Sequence, residues 1–516
     1  MNVVTAAQMQ AIDRRAIEKG KIPSLTLMER AGSETVAAME AHFGPLRTKR
    51  IVIVCGKGHN GGDGLVVARL LKHRKAKIRV VLLHPISNLA RDTRTMHRRL
   101  VRGGNTALIT ATPAPDELAQ ALDGADILVD ALLGTGLSSP VSGIYRSAIE
   151  ALNGTGRPIV AIDLPSGLDA DTGHVLGAAV RATLTVTMGL PKYGLYLGEG
   201  IDYSGTVRIA DIGIPAAYAQ TIEGSVSLLT GDTIAGLIPT RRPSSHKGTF
   251  GHVGIIAGSP GKTGAAALAA RAALRVGSGL VTVATPAGVN SIVEGKLLEA
   301  MSVPISDTPE HAFGPNSLQD LLTFARTKSA VAVGPGIGTH AGTIHVIRDF
   351  LPRCSVPCVV DADALNAIAE GPEMLSRCSA ALILTPHPGE MARLARLDSG
   401  RAVNRDRLGI AREFAKTHGV IVVLKGARTV IAHPDGQTAI SPSGNPGLAT
   451  GGTGDVLTGM IGGFLAQGLR PWEAACAGAY LHGLAGDVAA EVRGQASMIA
   501  GDVIEHIAHA FGQVTN

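Results

Sequence analysis

One repeated form runs through this chain and limits the folds open to it: four or five apolar residues, then Gly, Pro, Asp or His, then a stretch of helical length. In the first half it occurs as IVIVC before GKGHNGGDG, as ADILVDALLGTGLSSP over residues 125–140, and as RPIVAIDLPSGLDADTG over 157–173. In the second it occurs as HVGIIA before GSPGKTG, then as SAVAVGPGIGTH, PCVVDADALNAIA, AALILTPHPGEMARL and GVIVVLKGARTVIAHPDG. Unbroken apolar runs between turn formers read as strands buried on both faces, the habit of parallel sheets flanked by helices. The fold class is therefore α/β. Ligands of open parallel sheets bind outside the carboxyl ends of the strands, where each repeat delivers its polar residues.

At 516 residues the chain is long enough for several domains. The pattern weakens over residues 216–235, so the expected division is a first domain over 1–220 and a second over 221–516. Apolar residues make up 45% and aromatic ones only 3%, with 65 glycines, so the core must rely on Ala, Val, Leu, Ile and close backbone approach. Before the first strand, residues 5–42 alternate at helical spacing and read as two helices broken near Pro23.

The run SPSGNPGLATGGTGDVL, residues 441–457, reads as a loop feeding a helix N-terminus. The unpaired N–H groups there carry positive partial charge, and glycine lets phosphate oxygens approach them. An aspartate beside such phosphates, Asp455, suits a general base that deprotonates an attacking hydroxyl; as an isolated motif it equally suits a helix cap. The run GKGHNGGDG reads as a nine-residue loop, 56–64, with Asn60 and Asp63 as polar groups a plain turn does not need. Asn60, Asp130 and Ser166, at three strand ends, offer oxygen ligands for a hard cation. GSPGKTG looks like a Walker loop, but its spacing is wrong, which argues against a P-loop NTPase.

Several classes are excluded on the sequence. The net charge of +6 is scattered except over residues 91–104, which read as a solvated helix face, and no aromatic stacking platform suggests nucleic acid. Cys55, Cys354, Cys358, Cys378 and Cys476 show no CxxC pairing, so neither a disulfide framework nor a zinc site is expected. No secretory signal or apolar span is visible, and the expected location is the cytoplasm.

With these residues in view the chain resembles the bifunctional NAD(P)H-hydrate repair enzymes, which fuse an NAD(P)HX epimerase to an ADP- or ATP-dependent NAD(P)HX dehydratase. The resemblance rests on LMERAG, GKGHNGGDG, DALLGTGL, DLPSGLDADTG and PKYGL, then on HKGTFGHVGIIAGS, GPGIG, DADALN, TPHPGEMARL, LKGARTVI and GNPGLATGGTGDVL. The family loop usually reads GNNGGDG; here His59 stands for the first Asn and offers no amide. The resemblance implies a Rossmann-like three-layer epimerase domain and a ribokinase-like dehydratase domain. It implies that the first binds NADHX or NADPHX through His59, Asn60, Gly61, Gly62, Asp63, Gly134, Thr135, Gly136, Leu137, Ser138, Ser139, Pro140 and Asp163, with Tyr145 and Lys192 as further candidates. Asp163 is the expected acid/base group, and Asn60, Asp130 and Ser166 the expected potassium ligands. For the second domain it implies substrate contacts from Ala265, Gly336, His387 and Asp455, and nucleotide contacts from Lys425, Gly426, Ala427, Arg428, Thr429 and Gly454. ADP is the expected co-substrate, with Mg2+ organised by Asp361 and Asp363, and a homo-oligomer is expected. Two other readings remain open: a small-molecule kinase in the second half, and a non-catalytic binding module in the first.

Overall fold

The structure is a computed structural model that describes residues 1–102, 107–110, 114–219 and 226–515. It divides into two compact units, Met1–Ser225 and Val226–Asn516. The expected boundary at 220/221 lies outside the described residues.

The first unit opens with helices α1 (Ala6–Glu18) and α2 (Ser24–Phe43), the second capped by Pro23. Strand β1 (Arg50–Cys55), helix α3 (His59–His73), strands β2 (Lys77–Leu82), β3 (Ala107–Thr110), β4 (Ile127–Ala131), β5 (Ile159–Ile162), β6 (Leu184–Met188) and β7 (Thr206–Ala210) come next. They form a seven-stranded sheet in the order β3-β2-β1-β4-β5-β6-β7, parallel throughout. The chain runs outward from β1 and then returns to β4, so the crevice of this doubly wound sheet opens between their carboxyl ends. Burial of Ile51, Ile53, Val129 and Ile162 on one face, and of Val52, Val54 and Leu128 on the other, accounts for the unbroken apolar runs. The basic stretch near residue 91 forms a helix, Arg91–Arg102, that buries Thr93, Met96, His97 and Leu100 and turns its arginines outward; Gly103 and Gly104 lie outside the described residues.

One local expectation fails. Residues 56–64 are not a nine-residue loop, because α3 begins at His59 and takes Asn60–Gly64 into its first turns. The glycines serve packing. A Cβ on Gly61 would stand 2.0 Å from the Gly56 carbonyl oxygen, and one on Gly64 2.5 Å from the Ala131 methyl. Without side chains there, the N-terminus of α3 reaches down onto the ends of β1 and β4.

The second unit contains β8 (Val226–Leu228), β9 (His252–Ile256), β10 (Leu280–Pro286), β11 (Met301–Ile305), β12 (Ala330–Val333), β13 (Cys358–Val360), β14 (Leu382–Leu384), β15 (Ile421–Leu424), β16 (Val430–Ala432) and β17 (Thr438–Ile440). Their order is β8-β17-β16-β15-β14-β13-β12-β9-β10-β11, parallel except that β16 runs antiparallel to both neighbours. The helices of this unit include α4 (Thr263–Arg275), α5 (Pro388–Leu394), α6 (Arg407–His418), α7 (Thr453–Ala466), α8 (Pro471–Arg493) and α9 (Ala500–Thr515). Helices α4 and α7 touch through small residues: a Cβ on Gly459 would lie 2.1 Å from the Ala269 carbonyl oxygen. Close backbone approach here replaces the aromatic packing that the composition lacks. Among the described residues no helix is long and apolar enough to cross a membrane.

Candidate active sites

In the first unit a cavity of about 740 Å3 opens above the carboxyl ends of β1, β4 and β5. Its wall includes His59, Asn60 and Asp63 from α3, the run Gly134 to Ser139, Tyr145 and Asp163. Of the expected substrate residues, Gly61, Gly62, Pro140 and Lys192 are not on that wall; the two glycines instead let α3 approach Gly56 and Met28.

Asp163 directly follows β5 in a left-handed conformation, φ +69°, which is costly for a residue with a side chain. Lys192 Nζ meets its Oδ1 at 2.5 Å, the Met188 N–H donates to the same oxygen at 3.0 Å, and Thr187 Oγ1 lies at 3.3 Å. Lys192 is 1% exposed and also donates to the Met188 carbonyl. A buried ammonium needs such partners.

Behind the Gly134 loop, Ser166 donates its hydroxyl to Asp130 Oδ1 at 2.6 Å and its N–H to Oδ2 at 2.8 Å. Burial pushes Asp130 up to about 6 against these bonds. Asn60 Nδ2 donates to the Leu133 carbonyl at 2.7 Å, and its Oδ1 is buried with no hydrogen-bond partner. Asn60 and Ser166 both bond the Leu133 backbone, and Ser166 bonds Asp130, so Asn60 Oδ1 is the one oxygen of the three side chains left without a partner, the kind of buried orphan a cation can satisfy.

Two carboxyls in this cavity have displaced proton affinities. Burial, with Asp163 and Asp13 adding to it against Lys192, raises Asp63 well above the usual range. Asp13, from α1, is pushed up to about 6, mainly by burial. Sequence reasoning missed Asp13, because nothing in a single amphipathic helix says which polar residue ends inside a cavity. Its only trace was the spacing of Gln10, Asp13, Arg14 and Ile17, which all line the wall.

In the second unit, Gly452 at φ +93° turns the chain into α7, whose first turn holds Gly454 and Asp455. A Cβ on Gly454 would stand 3.4 Å from Lys425 Nζ and 3.7 Å from Asp361 Oδ2. Lys425 pairs with Asp361 Oδ1 at 2.7 Å, and Thr458, one turn beyond Asp455, donates to Oδ2 at 2.7 Å. Burial alone would lower Lys425, but Asp361 and then Glu390 more than reverse it, so it is held above its ordinary value. Asp455 is pushed up to about 7 by burial and by Asp361 and Asp363, against Lys425.

Residues 425–429 form the turn between β15 and β16. Arg428 donates to the Pro442 carbonyl and Thr429 Oγ1 to that of Gly426. Beneath this turn lies Arg407 of α6, 8% exposed, which donates to the carbonyls of Leu424 and Lys425 at 2.9 and 3.2 Å. On the facing side, Gly336 approaches so closely that a Cβ would lie 3.1 Å from the Ala265 methyl. His387 caps α5, its Nδ1 accepting from the Gly389 N–H at 3.0 Å, and Glu390 of the same turn lies 4.0 Å from Lys425. The capping role is thus present, and the ring stays 52% exposed.

The expectation that Asp361 and Asp363 organise magnesium is not supported by their partners. Asp361 is taken by Lys425 and Thr458, and Asp363 Oδ2 accepts from Lys262 at 3.0 Å and from the Gly338 N–H at 2.9 Å. Lys262, the lysine of GSPGKTG, is spent on that ion pair, consistent with a run that is not a Walker loop. Sequence reasoning also missed His482 of α8, which meets the Thr453 carbonyl at 2.9 Å and fixes the first turn of α7; burial pushes it down to about 4.

Comparison with known proteins adds an independent line. The family described as YjeF-related protein N-terminus matches residues 24–194, and that described as NAD(P)H-hydrate dehydratase matches 253–509. The chain is 46% identical over 511 residues to the bifunctional NAD(P)H-hydrate repair enzyme Nnr of Moorella thermoacetica, covering 98% of this chain and 96% of that one. It is 37% identical to the protein of the same name from Thermofilum pendens, covering 99% and 96%. Among solved structures, the ADP/ATP-dependent NAD(P)H-hydrate dehydratase of Bacillus subtilis is 30% identical over 56% of this chain and 99% of that one, with a TM-score of 0.48.

Proposed function

Because the chain belongs to the family of bifunctional NAD(P)H-hydrate repair enzymes, we propose that its first unit interconverts the R and S hydrates of NADH and NADPH at Asp163 and that its second dehydrates the S form with ADP. The observation that carries the reading is the first turn of α7, where Asp455 sits beside Gly454 and a lysine held by Asp361. The unpaired N–H groups of that turn receive the phosphates, with Lys425 and the 425–429 turn beside them. Asp455 takes the proton of the C6 hydroxyl as its oxygen attacks the terminal phosphorus of ADP, and AMP leaves. The resulting phosphate ester is a far better leaving group than hydroxide. Its C6–O bond breaks with help from the ring nitrogen, a C5 proton is lost, and the dihydronicotinamide is restored. Ala265, Gly336 and His387 shape the hydrate's side of this site. A magnesium ion here would be held chiefly by the nucleotide phosphates, whose charge it would offset, since Asp361 and Asp363 each pair with a lysine.

In the first unit the run His59 to Asp63 and the Gly134 loop hold the dinucleotide. The orphaned Asn60 Oδ1, with Asp130 and Ser166, would hold a potassium ion, which would supply a fixed positive charge there. A cytoplasmic homo-oligomer is consistent with this reading.

The test is to give the full chain a mixture of R and S hydrates with ADP and follow the return of reduced-nicotinamide absorbance, corrected for spontaneous epimerisation. Recovery of the whole pool is expected. Recovery that stops at the S fraction overturns the epimerase assignment, and a stable phosphorylated product would instead mark the second unit as a kinase.

A further inference from the structure

The interconversion at C6 needs a proton donor as well as an acceptor, and Asp163 is one group. We propose that Asp13, from the N-terminal helix, is the second catalytic residue of the first unit, the acid that works opposite Asp163. The inference rests on the epimerase reading of that unit.

The segment that leads into α1 is stitched to the segment that carries Lys192. The Val4 N–H donates to the Pro191 carbonyl at 2.9 Å, and the Tyr193 N–H to that of Val4 at 3.2 Å. Helix α1 starts two residues later, capped by Thr5 and held by Asp171, which accepts from the Ala6 N–H at 2.6 Å. Its Met9 rests over Gly189, so close that a Cβ on Gly189 would lie 3.0 Å from the methionine methyl. Gly189 follows Met188, whose N–H holds Asp163. Fixed at these three points, α1 turns Gln10, Asp13, Arg14 and Ile17 into the cavity that Asp163 also lines. Asp13 is thereby brought within electrostatic reach of Lys192, Asp163 and His59, and Asp63 feels it in turn.

The environments differ in the way an acid/base pair requires. Asp163 lies in an ion pair with Lys192, whereas burial lifts Asp13 to about 6, so that near neutral pH it holds a proton far more often than an ordinary carboxyl does. Asp13 gives its proton to the C6 hydroxyl; the C6–O bond breaks, water leaves, and the N1 lone pair forms a C6=N1 bond. A water on the opposite face attacks C6, Asp163 takes its proton, and the π electrons return to N1. The hydroxyl is inverted, and one proton has moved from Asp13 to Asp163, to be returned through solvent. Lys192, Met188 and Thr187 all meet Asp163 through Oδ1, so Oδ2 is the oxygen that receives the proton.

The experiment uses the full chain and the R hydrate without nucleotide, with S-hydrate formation followed by chromatography between pH 5 and 9. Asp13→Asn is expected to slow epimerisation about 100-fold with KM nearly unchanged. The fall in rate toward high pH, where the acid loses its proton, should disappear with it. Asp13→Glu should restore at least part of the rate and that limb, which a purely structural role would not predict, and ADP-dependent use of the S hydrate should be untouched. Wild-type protein that epimerises no faster than solvent overturns the epimerase reading itself. Wild-type activity with an unchanged Asp13→Asn profile overturns the role of Asp13, as does transfer of the whole effect to Asp63→Asn.

Discussion

Lys425 and Asp361 form a 2.7 Å ion pair whose second carboxylate oxygen is taken by Thr458, so one buried side chain ties the end of β13, the 425–429 turn and helix α7 together. Removing one member of a buried pair leaves an uncompensated charge, at a cost of about 3–5 kcal/mol. Lys425→Met should lower stability in denaturant by that order and abolish dehydration. Adding Asp361→Asn should return much of the stability and none of the activity. A single mutant as stable as wild type would show that the pair is not what holds these elements.

Asp455→Asn should reduce dehydration by a factor of about 100 to 10,000 with little change in KM for ADP, while epimerisation continues. As a base Asp455 must be ionised, so the dehydration rate should fall as pH drops through about 7. Its effect on stability has the opposite sense. A carboxyl raised in the folded state binds its proton more tightly there than when unfolded, so its contribution weakens as pH rises from about 4 to 7. Chemical unfolding at pH 7.5 should therefore find Asp455→Asn more stable than wild type, and an equal or lower midpoint would contradict the burial argument.

Potassium, if bound by Asn60, Asp130 and Ser166, stabilises the folded first unit by mass action. Exchanging potassium for the bulky cation tetramethylammonium at constant ionic strength should lower its unfolding midpoint. In Asn60→Ala the difference should vanish, as read by scanning calorimetry.

Gly61→Ala places a methyl 2.0 Å from the Gly56 carbonyl oxygen and should cost about 1–3 kcal/mol or more. Gly136→Ala, with nothing within 4 Å, should stay within about 0.5 kcal/mol of wild type. Equal urea midpoints for the two would mean that α3 is not seated on the end of β1.

The strands and their polar ends were legible because a strand buried on both faces leaves an unbroken apolar run, and Asp163, Asp130 and Asp361 each end or follow one. The start of α3 was not, since glycine signals a loop and close helix packing in the same letter. Asp13, Arg407 and His482 reach their sites from helices, Asp13 from one far away in sequence and the other two from neighbouring helices. Local periodicity places such residues on a helix face without saying what that face meets. Lys425 was visible at a strand end, but its partner Asp361 was read as a magnesium ligand, because sequence shows a charge without showing which opposite charge neutralises it.

The hydrogen bonds that Val4 makes, donating to the Pro191 carbonyl and accepting from the Tyr193 N–H, have a consequence for synthesis. At 5–20 residues per second, roughly 190 residues separate the emergence of α1 from that of its anchor, an interval on the order of 10–40 s. During that interval Met9, Ile12 and Ala16, the buried stripe of the helix, have no native seat. The nascent first unit therefore carries an exposed apolar stripe on α1 until the segment around Pro191 and Tyr193 has left the ribosome.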